Sequence, residues 1–148
     1  MNWIKLPKSN ERGATLVEFA IAASVFMVAM FAVLEFGRLL WVHNALSDAA
    51  RRGARYASVH SMTDGTGIKN VAVYGNPEGT GNPLVTDLTT ANVQVAYDLF
   101  DVNRGTVSVS ITNYQFQFVV PIIGTTITMR AYNTTLTGES AGRVPASL

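Results

Sequence analysis

Glu18 lies where a carboxylate is costly. It is the only charged residue between Gly13 and Leu34, and every other residue of that stretch is apolar or small. An ionised carboxylate at the centre of a membrane helix costs about 2.5–3.5 kcal/mol on insertion scales. Because Glu18 lies only four residues after Ala14, hydration at the cytoplasmic edge of a membrane would remove this cost. Pairing with a nearby cation would also remove it.

Cleavage after Gly13 would supply such a cation. Ala14 would then carry a new α-amino group, and Glu18 would become the fifth residue, about one helical turn away. A cation and an anion exposed in lipid can neutralise each other, within one chain or between neighbouring chains. The spacing makes processing between Gly13 and Ala14 a hypothesis that would explain Glu18.

The remaining sequence contains no set of residues that indicates catalysis or metal binding. The chain has no cysteine, which excludes thiol catalysis, disulfide bonds and cysteine-rich zinc sites. His43 and His60 do not have the spacing of a paired metal site, and we interpret both as structural residues. The segments "DGTG" (64–67) and "DVNRG" (101–105) lack a correctly placed acidic calcium ligand, so we interpret them as turns. We therefore expect no enzyme activity, no cofactor and no metal.

The composition divides the chain into a leader, a long helix and a β domain. Residues 1–13 form a basic leader of net charge +2, and apolar residues are concentrated before residue 47. A helical pattern without proline runs from Ala14 to about Ser58. Residues 59–148 are rich in Thr, Val and Asn and are predicted to form a β domain. The whole chain has a formal net charge of +1, so no basic field is present for nucleic acid.

The long helix is predicted to cross a membrane over residues 14–36 and to continue outside it over 37–58. A bilayer core of about 30 Å needs about 20 helical residues. The apolar run is longer than the core of a secretory signal peptide, which is the alternative interpretation. The basic leader places the amino terminus in the cytoplasm and the domain on the periplasmic or extracellular side. Arg38, on the other side of the span, could pair with Glu35, so its charge does not favour the opposite orientation of the helix in the membrane.

Both halves of the helix carry small residues at helical spacing. In the first half, Ala20 and Ser24 would let membrane helices pack closely, although alanine is also simply common in such helices. In the second half, Ala49, Gly53 and Ala57 are predicted to let the helix approach a sheet. They belong to a stripe at steps of three and four residues, the spacing of one helix face: Leu39, Val42, Leu46, Ala49, Gly53 and Ala57.

The last region predicts three to four antiparallel strands. "ANVQVAYDLF" (91–100) and "TVSVSITNYQFQFVV" (106–120) alternate with the period of half-buried strands, the second with a bulge near residue 113. "NVAVYGNPEG" (70–79) is predicted to be a short strand and a turn, and "TTITMRAYNTTLTG" (125–138) another strand. Segments 61–67 and 75–83 are predicted to be mobile loops and 139–148 a loose tail. The predicted fold class is α+β, with the long N-terminal helix packed on a small antiparallel sheet.

Two segments resemble one protein family. "GATLVEF", from Gly13 to Phe19, resembles the processing segment of type IV prepilins, and more closely that of the TadE family of the tight-adherence (Tad/Flp) pilus system. "ALSDAARRGARYAS" (45–58) is similar to the segment that follows the TadE membrane helix. The resemblance implies a pilin-like minor pseudopilin of the bacterial inner membrane, which a prepilin peptidase cuts between Gly13 and Ala14. It assigns assembly roles to Glu18 and Phe19.

The resemblance also implies the partners, and two alternatives to this interpretation stay open. The partners would be membrane lipid, the prepilin peptidase and other pilins or pseudopilins, in a homo- or hetero-oligomer that serves pilus assembly, adherence and biofilm formation. Phe19 replaces the Tyr often found in major Flp subunits, and the chain is far longer than those subunits. One alternative is a filament subunit that carries a β domain. The other is a single-pass anchor that does not polymerise and presents the domain as a binding module.

Overall fold

The computed structural model describes residues 11–60, 63–101, 104–119 and 126–137. The predicted leader up to residue 10 and the predicted tail 139–148 lie outside the described residues. Within them, two helices, one 3₁₀ turn and five strands form an α+β fold, and this confirms the predicted fold class. The elements are α1 (Glu11–Val59), α2 (Gly65–Tyr74), the 3₁₀ turn (Thr90–Asn92), β1 (Val93–Asp101), β2 (Arg104–Ile111), β3 (Gln115–Gln117), β4 (Thr126–Thr128) and β5 (Tyr132–Thr137).

Helix α1 is continuous over 49 residues, or about 73 Å at 1.5 Å per residue. It begins at Glu11, three residues before the predicted start, and ends at Val59. No residue from 13 to 34 is buried, and the first buried residue is Glu35. Among the described residues, one helix is long and apolar enough to cross a membrane, over residues 13–59. The mean hydropathy of its most apolar 18 residues is 2.3. This helix, near the amino terminus, fits a single-pass membrane anchor.

Strands β1, β2 and β5 form one antiparallel sheet in the order β1-β2-β5. Val95 pairs with Val109, and Val109 pairs with Thr134 on the other side. The predicted alternation is present: Val107, Val109 and Ile111 are buried, whereas the residues between them are half-buried. One face of the sheet therefore covers the core and the other faces solvent, as expected for a small antiparallel sheet.

The short strand predicted at the start of segment 70–79 is wrong, because residues 70–74 belong to helix α2. Asp64 caps the helix, and its carboxylate accepts a hydrogen bond from the Gly67 N–H at 3.0 Å. Gly75 ends the helix with φ of 80°, a left-handed conformation that suits glycine. The buried Ile68 and Val71 lie three residues apart on one face of the helix. Their spacing is helical, although both residue types favour strands. Residues 65–67, predicted to be loop, form its first turn.

The strand predicted over 106–120 is two strands in different sheets. The chain turns at Asn113, whose φ is 57°. Strand β2 ends before this turn, and β3 follows it to pair with β4 in a separate two-stranded sheet. The strand predicted over 125–138 likewise divides into β4 and β5. The described chain therefore has five strands in two sheets, where the sequence predicted three to four in one.

The core lies where the second half of α1 meets α2 and the larger sheet. Gly53 marks the closest approach: a Cβ atom there would lie 3.1 Å from Val109 Cγ1 and 3.2 Å from Ala72 Cβ. Ala49 and Ala57, one turn away on either side, are fully buried. Small residues on this face of α1 let the helix contact both neighbouring elements at once.

Candidate functional site

The predicted processing and assembly residues lie together on the exposed first turns of α1. Gly13, Ala14, Glu18 and Phe19 are all exposed, and Phe19 keeps 70% of its surface accessible. A Cβ atom at Gly13 would meet nothing within 4 Å. Because the helix is regular here, Glu18 lies one turn after Ala14, about 6 Å along the axis. An amino group created at Ala14 would therefore lie within about one helical turn of Glu18 in the same chain.

Ala20 and Ser24 lie one turn apart in the same exposed half. The Ser24 hydroxyl donates a hydrogen bond to the Ala20 carbonyl at 2.8 Å. This bond satisfies the hydroxyl within the helix, which lowers the cost of placing it in an apolar environment. Neither side chain packs against the domain, so a role in packing between helices stays a prediction.

Glu35 and Arg38 connect α1 to the two-stranded sheet of β3 and β4, which we call the small sheet. Arg38 Nη2 lies 2.6 Å from Glu35 Oε1, which confirms the predicted pair. The same carboxylate oxygen accepts a hydrogen bond from the Val119 N–H at 3.1 Å. Arg38 donates to the Gln117 carbonyl, and its guanidinium carbon lies 4.5 Å from the centre of the Phe116 ring. We call Glu35 and Arg38, with these contacts, the Glu35–Arg38 clamp.

The clamp extends beyond what the sequence predicted. Glu35 is only 7% exposed, and a buried carboxylate needs partners for its charge. The sequence signal for this was a single acidic residue between Leu34 and Phe36, at the end of an apolar run. Val119, which bonds to Glu35, and Gln117, which bonds to Arg38, are about 80 residues away in the sequence, so local spacing could not identify them.

Both histidines make structural contacts, as predicted. His43 Nδ1 lies 2.8 Å from the Tyr132 hydroxyl, which joins α1 to β5. Burial raises the pKa of Tyr132, an effect that Arg130 partly offsets. His60 stacks on Tyr56 with ring centroids 3.6 Å apart, and its Nδ1 lies 2.9 Å from the Tyr56 carbonyl.

An open groove of about 630 Å³ follows α1 from Trp41 to Arg52 and is closed on its other side by Leu84 and Val85. Asp48 lies in the wall of this groove. One of its carboxylate oxygens is 3.9 Å from a guanidinium nitrogen of Arg51, and the other is 3.9 Å from a guanidinium nitrogen of Arg52. These predicted pairs are exposed and therefore weak. Within the described ranges, no group of three or more His, Cys, Asp or Glu residues could hold a metal ion. An open, charged groove has the features of a contact surface, since ligand pockets are mostly enclosed and apolar.

Comparison with known proteins identifies one family. Residues 13–55 match the family model TadE, described as TadE-like protein. This match confirms the resemblance predicted from the two sequence segments, over less than a third of the chain. The matched segment begins at Gly13 and covers the exposed half of α1 and most of the half that packs on the domain. Neither the curated proteins nor the solved structures gave a match.

Proposed function

We propose that this TadE-like chain is a pseudopilin that takes part in assembly of a Tad/Flp-type pilus. In this proposal a prepilin peptidase cuts between Gly13 and Ala14, and the mature chain stays anchored in the bacterial inner membrane until it joins other pilins or pseudopilins. The observation that carries the proposal is the family match, which begins at Gly13 and includes Glu18. Adherence and biofilm formation would follow from the pilus, and the role of the chain itself is structural.

The exposed half of α1 supports an assembly role. Its large apolar side chains find no cover in the described domain: Leu16, Phe19, Ile21, Val25 and Phe26 are each more than 60% exposed. Such a surface requires lipid or other apolar helices. Glu18 then serves as the specific element where it is neutralised by the amino terminus at Ala14 of a neighbouring chain, because that pairing requires a particular arrangement of chains.

The charge distribution supports the proposed orientation. Lys5, Lys8 and Arg12 precede the apolar run, and positive residues favour the cytoplasmic side of a membrane. The Glu35–Arg38 clamp neutralises the first charges after the run. The domain would then lie in the periplasm, where partner subunits can reach it.

Mass measurement after co-expression with a prepilin peptidase tests the processing step. We expect a chain that begins at Ala14, and we expect Gly13→Ala to block its formation. Gly37→Ala is the matched control, because Gly37 is also exposed on α1 with nothing within 4 Å of a Cβ. If the unsubstituted chain stays at full length in the presence of an active peptidase, the proposed processing is wrong.

Glu18→Ala separates assembly from cleavage. We expect normal cleavage of this variant, because Gly13 and Ala14 are unchanged, and reduced co-purification with partner pilins. Removal of Glu18 leaves the amino group at Ala14 without its counter-charge between assembled chains, and we expect at least a tenfold reduction, equivalent to about 1.4 kcal/mol. Co-purification at the unsubstituted level would remove Glu18 from the proposal while leaving the processing site intact.

The open groove favours a second candidate function. A single-pass anchor that does not polymerise could present the surface between Trp41 and Leu84 to a binding partner. This candidate needs only a membrane span of any apolar sequence. It therefore predicts that Glu18→Ala leaves partner binding unchanged, the opposite of the result expected for a pseudopilin.

A further inference from the structure

We propose that the domain rests on the bilayer, with the Glu35–Arg38 clamp and Val119 at the level of the outer lipid interface. The outer membrane boundary on α1 would then lie near Leu40 and Trp41, one to two turns beyond Leu34. The proposed partner of this end of the domain is a lipid surface. The inference rests on the membrane anchoring in the proposed function and adds a second contact with the membrane.

The apolar surface of α1 continues past Leu34 on the side that the domain leaves open. Phe36, Leu40 and Trp41 are 60%, 47% and 57% exposed. The next exposed polar residue on the helix after Arg38 is Asn44. One side of α1 is therefore apolar up to Trp41, although the opposite side already contacts the domain from Glu35 onward.

The position of Glu18 sets the membrane register. A hydrocarbon core of about 30 Å holds about 20 helical residues. A core that ended at Leu34 would begin near Thr15 and would place Glu18 inside it. A core that begins just after Glu18 ends near Arg38. In a chain that has not joined other subunits, the Glu18 carboxylate then lies at the hydrated inner edge of the membrane. Trp41 then lies in the outer headgroup layer, where tryptophan is enriched.

This register requires that the charges near the outer edge be neutralised, and the clamp does so. The Glu35 carboxylate has Arg38 at 2.6 Å and the Val119 N–H at 3.1 Å. Arg38 also bonds to the Gln117 carbonyl and lies over the Phe116 ring. Charged groups at membrane depth persist when they are paired or bonded to backbone groups.

The small sheet contributes apolar surface at the same level. The bond to Glu35 fixes Val119 beside the outer end of the span, and its side chain is 73% exposed. Ile127, which pairs with Phe116 across β3 and β4, is 36% exposed. The sequence has no charged residue between Arg104 and Arg130. Val119 and Ile127 therefore present apolar surface near the Glu35–Arg38 clamp, and such surface fits lipid.

Single-cysteine probes on the full chain test the inference, because the native sequence has no cysteine. The chain is placed in phosphatidylcholine nanodiscs, one chain per disc, with a fluorescent label at V119C or L40C. Quenching by brominated lipid reports contact with the bilayer, and quenching by iodide reports contact with water. V25C, in the middle of the span, is the lipid control. T135C, exposed on the outer face of the larger sheet, is the water control.

We expect labels at V119C and L40C to be quenched by brominated lipid and to lose most of the iodide quenching seen at T135C. Equal iodide quenching at V119C and T135C, with V25C in lipid, would overturn the inference and leave the anchor intact. If V25C is also reached by iodide, the anchor itself is wrong, and with it the proposed function. Protection of V119C that arises only with two chains per disc would identify a second copy as the partner and overturn the lipid contact.

Discussion

At Gly53, a single missing carbon atom lets α1 contact α2 and the sheet together. A Leu side chain at this position would overlap Val109 and Ala72, which already lie 3.1 and 3.2 Å from an ideal Cβ. We expect Gly53→Leu to lower the free energy of unfolding by about 3 kcal/mol, since overpacking a close-packed core typically costs 1–3 kcal/mol or more. Urea unfolding of the purified chain in detergent measures this loss.

The matched control is Gly37→Leu on the same helix. No atom lies within 4 Å of a Cβ at Gly37, and leucine favours the helix over glycine by almost 1 kcal/mol. We expect no loss of stability there. Equal destabilisation by both substitutions would indicate that helix distortion, and not close packing at Gly53, is the cause.

Tyr114 links the stability of the domain to high pH. Its side chain is buried, and its hydroxyl donates to the Thr86 carbonyl at 2.7 Å. Burial raises the pKa of Tyr114, Asp87 raises it further, and Arg38 lowers it. The folded chain therefore holds this proton to higher pH than the unfolded chain does. The stabilisation is complete below the unfolded pKa of about 10 and is lost as the pH rises through the folded pKa.

We expect the free energy of unfolding to decrease above pH 10, and Tyr114→Phe to make that decrease shallower. At pH 7 the same substitution should cost about 1 kcal/mol, because the Thr86 carbonyl loses its hydrogen bond. Urea titrations between pH 7 and pH 11 measure both effects. Tyr97 and Tyr132 also have pKa values raised by burial, so part of the decrease should persist. An unchanged alkaline slope would contradict the assignment to Tyr114.

At the scale of elements, Asp64 holds helix α2 in place with both carboxylate oxygens. Oδ1 accepts from the Gly67 N–H and Oδ2 from the Tyr56 hydroxyl, each at 3.0 Å. We expect Asp64→Ala to destabilise the domain by about 1–2 kcal/mol and to speed amide hydrogen exchange throughout α2. Asp64→Asn is the control, because asparagine also caps helices. Equal exchange in the two variants would show that the cap does not limit opening of α2.

The elements that the sequence predicted well are those with an unbroken period. Strands β1 and β2 were evident because apolar residues alternate on one buried face, as at Val107 and Val109. Helix α2 was missed because its β-branched residues favour strands locally, whereas tertiary packing selects the helix. Its caps, Asp64 and Gly75, were a usable signal.

The candidate site shows the same division between local and distant information. The segment from Gly13 to Phe19 could be singled out because its residues are close in the sequence and their spacing has a chemical meaning, and its roles in processing and assembly stay predictions. The clamp could be predicted only as far as its local pair. Arg38 and Gln117 are 79 residues apart, and their contact depends on the turn at Asn113, which separates β3 from β2.

At the scale of the whole molecule, the described residues form two parts that share one helix but no core. None of residues 13–34 is buried, whereas packing begins at Glu35 and includes Val42 and Leu46. The domain should therefore fold without help from side chains of the span. Conversely, the span is free to make all its contacts with lipid or with other chains.

This separation allows a substitution of the whole span. Replacing residues 15–34 with an unrelated Leu/Ala sequence, while keeping Gly13 and Ala14, should leave the urea midpoint of the domain unchanged, because no core contact is lost. Co-purification with partner pilins should fall at least tenfold, since Glu18 and the packing surface are removed. A second variant that keeps residues 13–19 and replaces 20–34 separates the two causes. Recovery in the second variant would assign specificity to Glu18, whereas continued loss would assign it to small residues such as Ala20 and Ser24. Undiminished co-purification in both variants would favour the non-polymerising anchor, for which any apolar span is sufficient.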